Sequence, residues 1–449
     1  DPASYPWHDI GYRPPRFRDL VIYQFHFGVF WAVDEQGRDV RELRRGRFLD
    51  ILERIDYLVE LGVNAIQPLP IQEYPTMFSL GYNGTDYFSP EMDYQVEAPT
   101  ELDRYLATAN ALLARHGQPP LTHDQIAPGP NQLKAVIDIC HLEGIAVILD
   151  VVYNHAGGGF DDASIYFFDR RADPANNNNS LFFTDKGWAG GLVFAYWRHE
   201  VRQFLIDNAK FLLEEYHVDG FRYDEVSVMD NHGGWEFGQD LSDTVRSAKP
   251  QAIQIAEYWN DHRWLAVWRP EAGLGFDAAL ADGLRDRLRE AIDQTSFGMI
   301  ARVDLDSVAA ALQRPHNFPA AWQAVQCLEN HDVVYQGRDP RVAALADGAD
   351  ARSWHARSRS RAAMALLMTA PGIPMMFSGQ ELLEHRNWSD NPDAHEDTLL
   401  RWESLDDANP AARDFLAFAR DAIRLRRNTA ALRDEAIHVF HVHNENRVL

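Results

Sequence analysis

Lysine is nearly absent from this chain, and cysteine almost as scarce. Of 43 basic residues only Lys134, Lys186, Lys210 and Lys249 are lysines, and 67 acidic residues stand against them, for a formal net charge of −24. Surfaces for nucleic acid or anionic membranes need clustered Lys and Arg. The charge balance therefore excludes those partners and argues against a polyanionic substrate, while a neutral, polyhydroxylated one stays open. The preference for Arg over Lys reads as base composition. The two cysteines, Cys140 and Cys327, lie inside apolar segments and read as buried thiols; they provide neither a disulfide framework nor metal-ligand spacing. No apolar run reaches the roughly 18 residues of a membrane span, and no signal-peptide pattern is present. The absence of disulfides and of a leader points to the cytoplasm, although a chain that starts at Asp1 is also compatible with a removed leader.

What is present is an ordinary globular composition over 449 residues, 46% hydrophobic and 24% charged, which excludes disorder. Both ends read as cut. Residues 1–20, opening Asp1-Pro-Ala-Ser-Tyr-Pro-Trp7, are expected to be a linker from something upstream. Ala436–Val442 is strand-like, His443–Asn446 turn-like, and Arg447–Leu449 opens a second strand. A lone hairpin is marginal in water, so residues 433–449 are expected to begin a truncated C-terminal β-domain; a short hairpin packed on the rest is the alternative.

Between residues 21 and 432, short β-branched runs alternate with amphipathic segments. The expected strands are Val21–Phe25, Asn64–Pro68, Ile145–Val151, Val218–Tyr223, Ala252–Ala256, Gly275–Ala279, Trp322–Cys327 and Ile373–Phe377. Helical periodicity follows many of them, as in Phe48–Leu61, Gln132–Glu143, Trp197–Tyr216, Arg357–Thr369 and Ala411–Arg426. Eight such units predict an α/β fold, a (β/α)8 TIM barrel. A doubly wound sheet is weakened because no Gly-rich phosphate loop follows the first strand. Two connections are long. Residues 156–196, after the third strand, are expected to form a small subdomain at the barrel mouth. Residues 92–130 form an insertion with one helix, Glu101–His116.

Catalytic groups in such barrels sit where strands end. The third strand leads into Asp150-Val-Val-Tyr-Asn154-His155, the fourth into Arg222-Tyr-Asp224, the fifth into Glu257-Tyr258-Trp259, and the seventh into Glu329-Asn330-His331-Asp332. One acidic residue after a strand is usually a helix N-cap. Four such ends, with Arg and His beside the acids, are better explained by chemistry that needs paired carboxylates. Glycoside cleavage is that chemistry, since a leaving oxygen must be protonated while an oxocarbenium-like centre is stabilised.

These motifs, DVVYNH (150–155), GFRYD (220–224), AE (256–257) and NHD (330–332), resemble in order and placement the α-amylase superfamily, glycoside hydrolase family 13. The resemblance covers roughly residues 20–430. It implies that Asp224 is the nucleophile, Glu257 the general acid/base and Asp332 a third carboxylate holding sugar hydroxyls. It further implies that Arg222 orients the nucleophile, that His155 and His331 bond sugar hydroxyls, and that Tyr82 stacks on the sugar. The implied partner is an α-glucan. No metal or cofactor is assigned; many family members ligate calcium at the position of Asn154, with Asp161, Asp162, Asp173 and Asp185 as further oxygens available here. Asp150 and Asn154 alternatively organise their own loop. Trp188, Trp197, Trp259 and Trp388 are sugar platforms or core, His26 is core or supports the site, and Met375-Met376 is packing.

Within the family, VIYQFHFGVF (21–30), VSVMDNHGG (226–234), GFDAAL (275–280) and HVFHVHNENRVL (438–449) resemble 1,4-α-glucan branching enzymes. Asn330, where those enzymes usually carry Ser, and Tyr258-Trp259 depart from them. Transfer to a sugar hydroxyl, hydrolysis of amylase or debranching type, and a non-catalytic glycan-binding relative remain as alternatives, as does oligomeric state.

Overall fold

The structure, a computed structural model, describes residues 5–75, 79–157, 169, 180–406 and 408–449. Eight short, fully or nearly fully buried strands close into one parallel barrel: β1 (Ile22–Phe25), β2 (Ala65–Pro68), β3 (Ala146–Val151), β4 (Gly220–Tyr223), β5 (Ile253–Ala256), β6 (Ala278–Ala281), β7 (Ala324–Cys327) and β8 (Ile373–Phe377). Their spatial order, β1-β8-β7-β6-β5-β4-β3-β2, is that of a (β/α)8 barrel. Strands buried on both faces read as short, mostly apolar runs, broken here by single polar residues such as Gln24, Asp150 and Arg222. The sixth is displaced from its expected place. Gly275 takes a φ of +82°, and its N–H and that of Phe276 donate to the carbonyls of Trp268 (2.8 Å) and Ala266 (3.0 Å), so the chain turns there before pairing begins.

The principal helices are α1 (Ile55–Leu61), α2 (Pro99–Arg115), α3 (Gly129–Leu142), α4 (His199–Glu215), α5 (Trp235–Ala248), α6 (Gly283–Gln294), α7 (Trp354–Thr369) and α8 (Ala411–Asn428). The first half of the expected Phe48–Leu61 helix is instead a 3-10 segment, Phe48–Arg54. Between β5 and β6 the described residues hold only a 3-10 turn, Arg263–Ala266, in a stretch interrupted by Pro270, Gly273 and Gly275. No helix among the described residues is long and apolar enough to cross a membrane. Cys140 and Cys327 are buried free thiols.

The chain forms two compact units. The first comprises residues up to Pro14, His26–Asp56 and Gln67–Ala279. Here β3, β4 and β5 lie side by side in register, Ile148 and Ile253 flanking Gly220, and Asp150 opposite Arg222. Tyr5 donates to Asp138 on α3 (3.0 Å), as does the His8 N–H (2.9 Å), and Trp7 stacks on His217, so residues 5–8 are pinned rather than loose. In the 92–130 insertion α2 runs over Pro99–Arg115, two residues earlier than expected, with a short helix, His123–Ile126, after it. The described part of 156–196 contains an antiparallel sheet of His155–Ala156, Gly191–Phe194 and Phe183–Trp188; Gly158, Gly159, Asp161, Asp162, Asp173 and Asn176–Asn179 lie outside the described residues. Buried Asn208 of α4 ties the neighbourhood together, accepting from Gln72 (2.9 Å) and Tyr153 (2.7 Å) and donating to the Tyr87 carbonyl.

Gly220 has no room for a side chain. A Cβ there would lie 1.9 Å from the Ile253 carbonyl oxygen, which is backbone and cannot rotate aside. Gly220→Ala is expected to cost about 1–3 kcal/mol, read as a lower denaturant midpoint in urea unfolding. An unchanged midpoint would mean that β4 and β5 spread freely.

The second unit comprises Pro15–Phe25, Tyr57–Ile66 and Leu280–Leu449. β1 pairs with β8 and β8 with β7. Buried Glu381 accepts from Tyr23 (2.7 Å) and Tyr57 (2.6 Å), and α7 begins on Ser353, whose hydroxyl accepts from the Ala356 N–H. The strand expected over Ala436–Val442 does not form. It finds no ladder partner among the described residues, and Phe440 is 88% exposed. Only a turn closed by His443 and Val448 is present, fixed by Asn444, which accepts from the Leu305 N–H and donates to Asp306.

Candidate active site

In the first unit, β3, β4 and β5 bring three carboxylates onto one guanidinium. Asp150 sits on β3 in register with Arg222 of β4; Asp224 and Glu257 are the first residues after β4 and β5. Arg222 Nη1 donates to Asp150 Oδ1 (2.8 Å) and Asp224 Oδ1 (2.7 Å), and its Nη2 lies 2.6 Å from Glu257 Oε2. All four side chains are buried. The backbone holds the two strand-end acids: Asp224 N–H donates to the Val151 carbonyl and Glu257 N–H to that of Tyr223, both at 3.0 Å. Glu225 then adopts a left-handed φ of +39°, which turns its N–H onto Glu257 Oε2 (3.0 Å). A non-glycine residue in that region is uncommon and often marks a functional site.

The second oxygens of Asp224 and Asp150 are also engaged. Asn154 Nδ2 donates to Asp224 Oδ2 (2.9 Å), while its oxygen accepts from the His155 N–H (3.0 Å) and faces His155 Nδ1 (3.1 Å). Tyr82 donates to Asp150 Oδ2 (2.9 Å), with its ring 5.7 Å from the Arg222 guanidinium carbon. The expected Tyr82, His155, Arg222, Asp224 and Glu257 thus fall in one network. Asp150 and Asn154, open in the sequence between substrate contact and loop organisation, support Arg222 and Asp224.

Three carboxylates around one arginine leave excess negative charge out of water. Burial, with Glu257 and Asp150 adding repulsion, raises the Asp224 carboxyl well above the usual range, against the pull of Arg222. Burial also opposes the charge on Arg222, but Asp150 and Glu257 outweigh it and its pKa rises. Burial pushes His155 down to about 4, the Tyr82 carbonyl opposing weakly, so its imidazole is neutral near pH 7.

In the second unit, β7 runs into Glu329-Asn330-His331-Asp332. Buried Glu329 accepts from the Val342 N–H (2.6 Å) and pairs with Arg341 (3.1 Å), so it anchors the loop. Asn330 Oδ1 accepts from the Val333 N–H (2.8 Å), a turn-forming bond. His331 is held by Gln24 of β1, whose Oε1 accepts from its N–H (3.0 Å) and lies 3.2 Å from Nδ1. Trp388 is core rather than platform: it is buried, and its indole donates to the His331 carbonyl (2.7 Å). Asp332 keeps its carboxylate half-exposed, near His331 Nε2 (3.2 Å) and Arg338 (3.3 Å). Gln24, Glu225 and Arg341 were missed in the sequence; a glutamine inside the apolar run Ile22–Phe25 was the one available signal.

Among the described residues no group of three His, Cys, Asp or Glu side chains could hold a metal. The Asn154 oxygen that calcium would use already accepts from His155, Asp169 accepts from Ser180, Leu181 and Phe182, and Asp185 is exposed beside Lys186. Asp161, Asp162 and Asp173 lie outside the described residues, and no chemical step is assigned to a metal.

The profile of the α-amylase catalytic domain matches residues 129–429. A 1,4-α-glucan branching enzyme GlgB of Nocardia farcinica is 27% identical over 96% of this chain and 52% of its own length. A malto-oligosyltrehalose trehalohydrolase of Saccharolobus solfataricus is 26% identical over 84% of this chain and 59% of its own. The chain therefore spans little more than half the length of these relatives. The solved α-amylase of Geobacillus thermoleovorans superposes with a TM-score of 0.66 at 22% identity, over 93% of this chain and 81% of that one, a likeness of fold. Since the matched stretch exceeds half the sequence, the chain belongs to the α-amylase catalytic-domain family.

Proposed function

We propose that this chain is the catalytic part of a retaining enzyme acting on α-1,4-glucosidic bonds of starch- or glycogen-like glucans, most readily by branching-type transfer. One observation carries the reading: a single buried arginine grips Asp224 and Glu257 at the ends of adjacent parallel strands. Two carboxylates on one guanidinium fork fit the ~5–5.5 Å separation of a retaining pair better than the ~6.5–9.5 Å that an inverting enzyme needs to admit water between them.

In this reading Asp224 attacks the anomeric carbon as the glycosidic C–O bond breaks, and Glu257 gives its proton to the departing oxygen. An acceptor hydroxyl then loses its proton to Glu257 while its oxygen displaces Asp224 from the anomeric carbon. The cluster supports this, because Arg222 holds both acids beside one another at the strand ends. From the family resemblance, Asp332, His331 and His155 are each assigned to sugar hydroxyls and Tyr82 to a sugar face.

Transfer is favoured over hydrolysis by the branching-enzyme-like stretches and by the naming of relatives such as the GlgB of Nocardia farcinica; the trehalohydrolase of similar identity keeps hydrolysis as the second reading. Both share the glycosyl-enzyme intermediate and differ in whether loops admit water or a sugar hydroxyl. Amylose incubated with the protein is expected to lose iodine colour and gain α-1,6 linkages with few new reducing ends. A proportional rise in reducing ends would establish hydrolysis instead.

A further inference from the structure

Arginine is scattered through most of this acidic chain in ion pairs, but in the second unit four arginines line one cavity. A cavity of about 760 Å³ opens where β1 and β2 begin. Its lining includes Arg420, Arg424 and Arg427 of α8, and Arg433 just beyond it, against only Asp19 and Glu60. The volume is that of a small-molecule site. The local charge balance is the reverse of the −24 of the whole chain, and screening over roughly 8 Å keeps the distant acids from cancelling it.

The helix end explains part of this concentration. Cations are favoured at a helix C-terminus, and Arg426 spends its guanidinium beneath the cavity on the carbonyls of Met368, Ala370 and Gly372. Arg427 likewise donates to the Gly62 carbonyl (2.8 Å). The other three go beyond capping. Arg420 meets Glu60 at 2.8 Å, Arg433 meets Asp19 at 3.2 Å, and Arg424 meets Asp421 at 3.4 Å. Each guanidinium carries five donors in a planar fork, and these contacts use a fraction of them. The cationic groups also crowd one another: burial and then Arg433 pull Arg426 down to about 10, and the same two causes lower Arg427. An anion in the cavity would relieve that repulsion and take up donors in the bidentate geometry guanidinium favours.

We infer that this arginine-lined cavity is a binding site for a small phosphate-bearing anion. Free phosphate and a phosphorylated sugar share the required chemistry, and the cavity has room for either. Bound there, the anion would bridge α8 to the segment Glu60–Asn64 that leads into β2.

The test is calorimetric titration of the protein with inorganic phosphate, with glucose 6-phosphate and with neutral glucose, at ionic strength held constant with sodium chloride. Saturable binding of phosphate or of the sugar phosphate, but not of glucose, is expected. Tighter binding of the sugar phosphate would assign the site to organic phosphates, and tighter binding of inorganic phosphate to the free ion. Arg424→Ala and Arg433→Gln are each expected to weaken binding by about tenfold or more, the loss of a charge-assisted hydrogen bond. Arg424 is largely exposed, so its variant is expected to melt like the parent without ligand, which separates lost binding from lost folding. No saturable heat with either phosphate, or affinities unchanged in both variants, would overturn the inference.

Discussion

Asp224→Asn is expected to lower turnover of amylose by roughly 10⁴-fold or more, the scale seen when a covalent nucleophile is removed from an enzyme whose groups act as a unit. The amide oxygen cannot form the glycosyl ester, so kcat falls while KM changes little. The fold should survive. Asp224 is one of three carboxylates on Arg222, so the substitution leaves the arginine still paired. Its raised pKa also sets the direction of a pH effect. In the unfolded chain this group ionises near the ordinary aspartate value, whereas in the folded chain it keeps its proton to higher pH. Folding therefore takes up a proton in that window, and the stability so gained is lost as pH rises through the folded pKa. The asparagine variant does not titrate and should lack that loss, so its melting temperature should fall less than the parent's between pH 4 and neutrality. A variant with substantial turnover would remove Asp224 from the chemistry.

Glu257→Gln should lower turnover of amylose by about 10²–10⁴-fold, the range of general acid–base catalysis. Here the deficit should depend on the leaving group. A sugar alkoxide needs a proton as the bond breaks, but fluoride does not. With α-maltosyl fluoride the glycosylation step should recover by at least about tenfold relative to amylose, because protonation has dropped out of it. Equal deficits on both substrates would make Glu257 a structural partner of Arg222 and Glu225 rather than the acid.

The strands were legible because burial on both faces writes them as short, mostly apolar runs. All eight appear in order, seven of them starting within two residues of the expected position. The sixth was misplaced because Gly275 and Phe276 satisfy their N–H groups in a turn that no periodicity records. The C-terminal strand failed for the opposite reason: Ala436–Val442 has strand-like alternation, yet alternation supplies no hydrogen-bond partner. The acids were readable from their place after strands, and Arg222 from its place beside Asp224. What the sequence did not show is the wiring between strands: that Asp150 shares Arg222 with Asp224, that Asn154 turns its amide to Asp224, and that Gln24 holds His331. Such contacts depend on register between segments far apart in the chain, and no local pattern encodes them. The arginine cavity was hidden similarly, since its residues come from Asp19, Glu60 and the 420–433 stretch and meet only in the fold.

The central claim is that a sugar becomes covalently attached to Asp224. The most direct measurement is mass spectrometry of Glu257→Gln protein quenched in acid during turnover of α-maltosyl fluoride, followed by peptide mapping. The account predicts a maltosyl adduct on the peptide containing Asp224 and located at that residue. An adduct on Asp150, Asp332 or another side chain, or fluoride release with no adduct at any time, would contradict it.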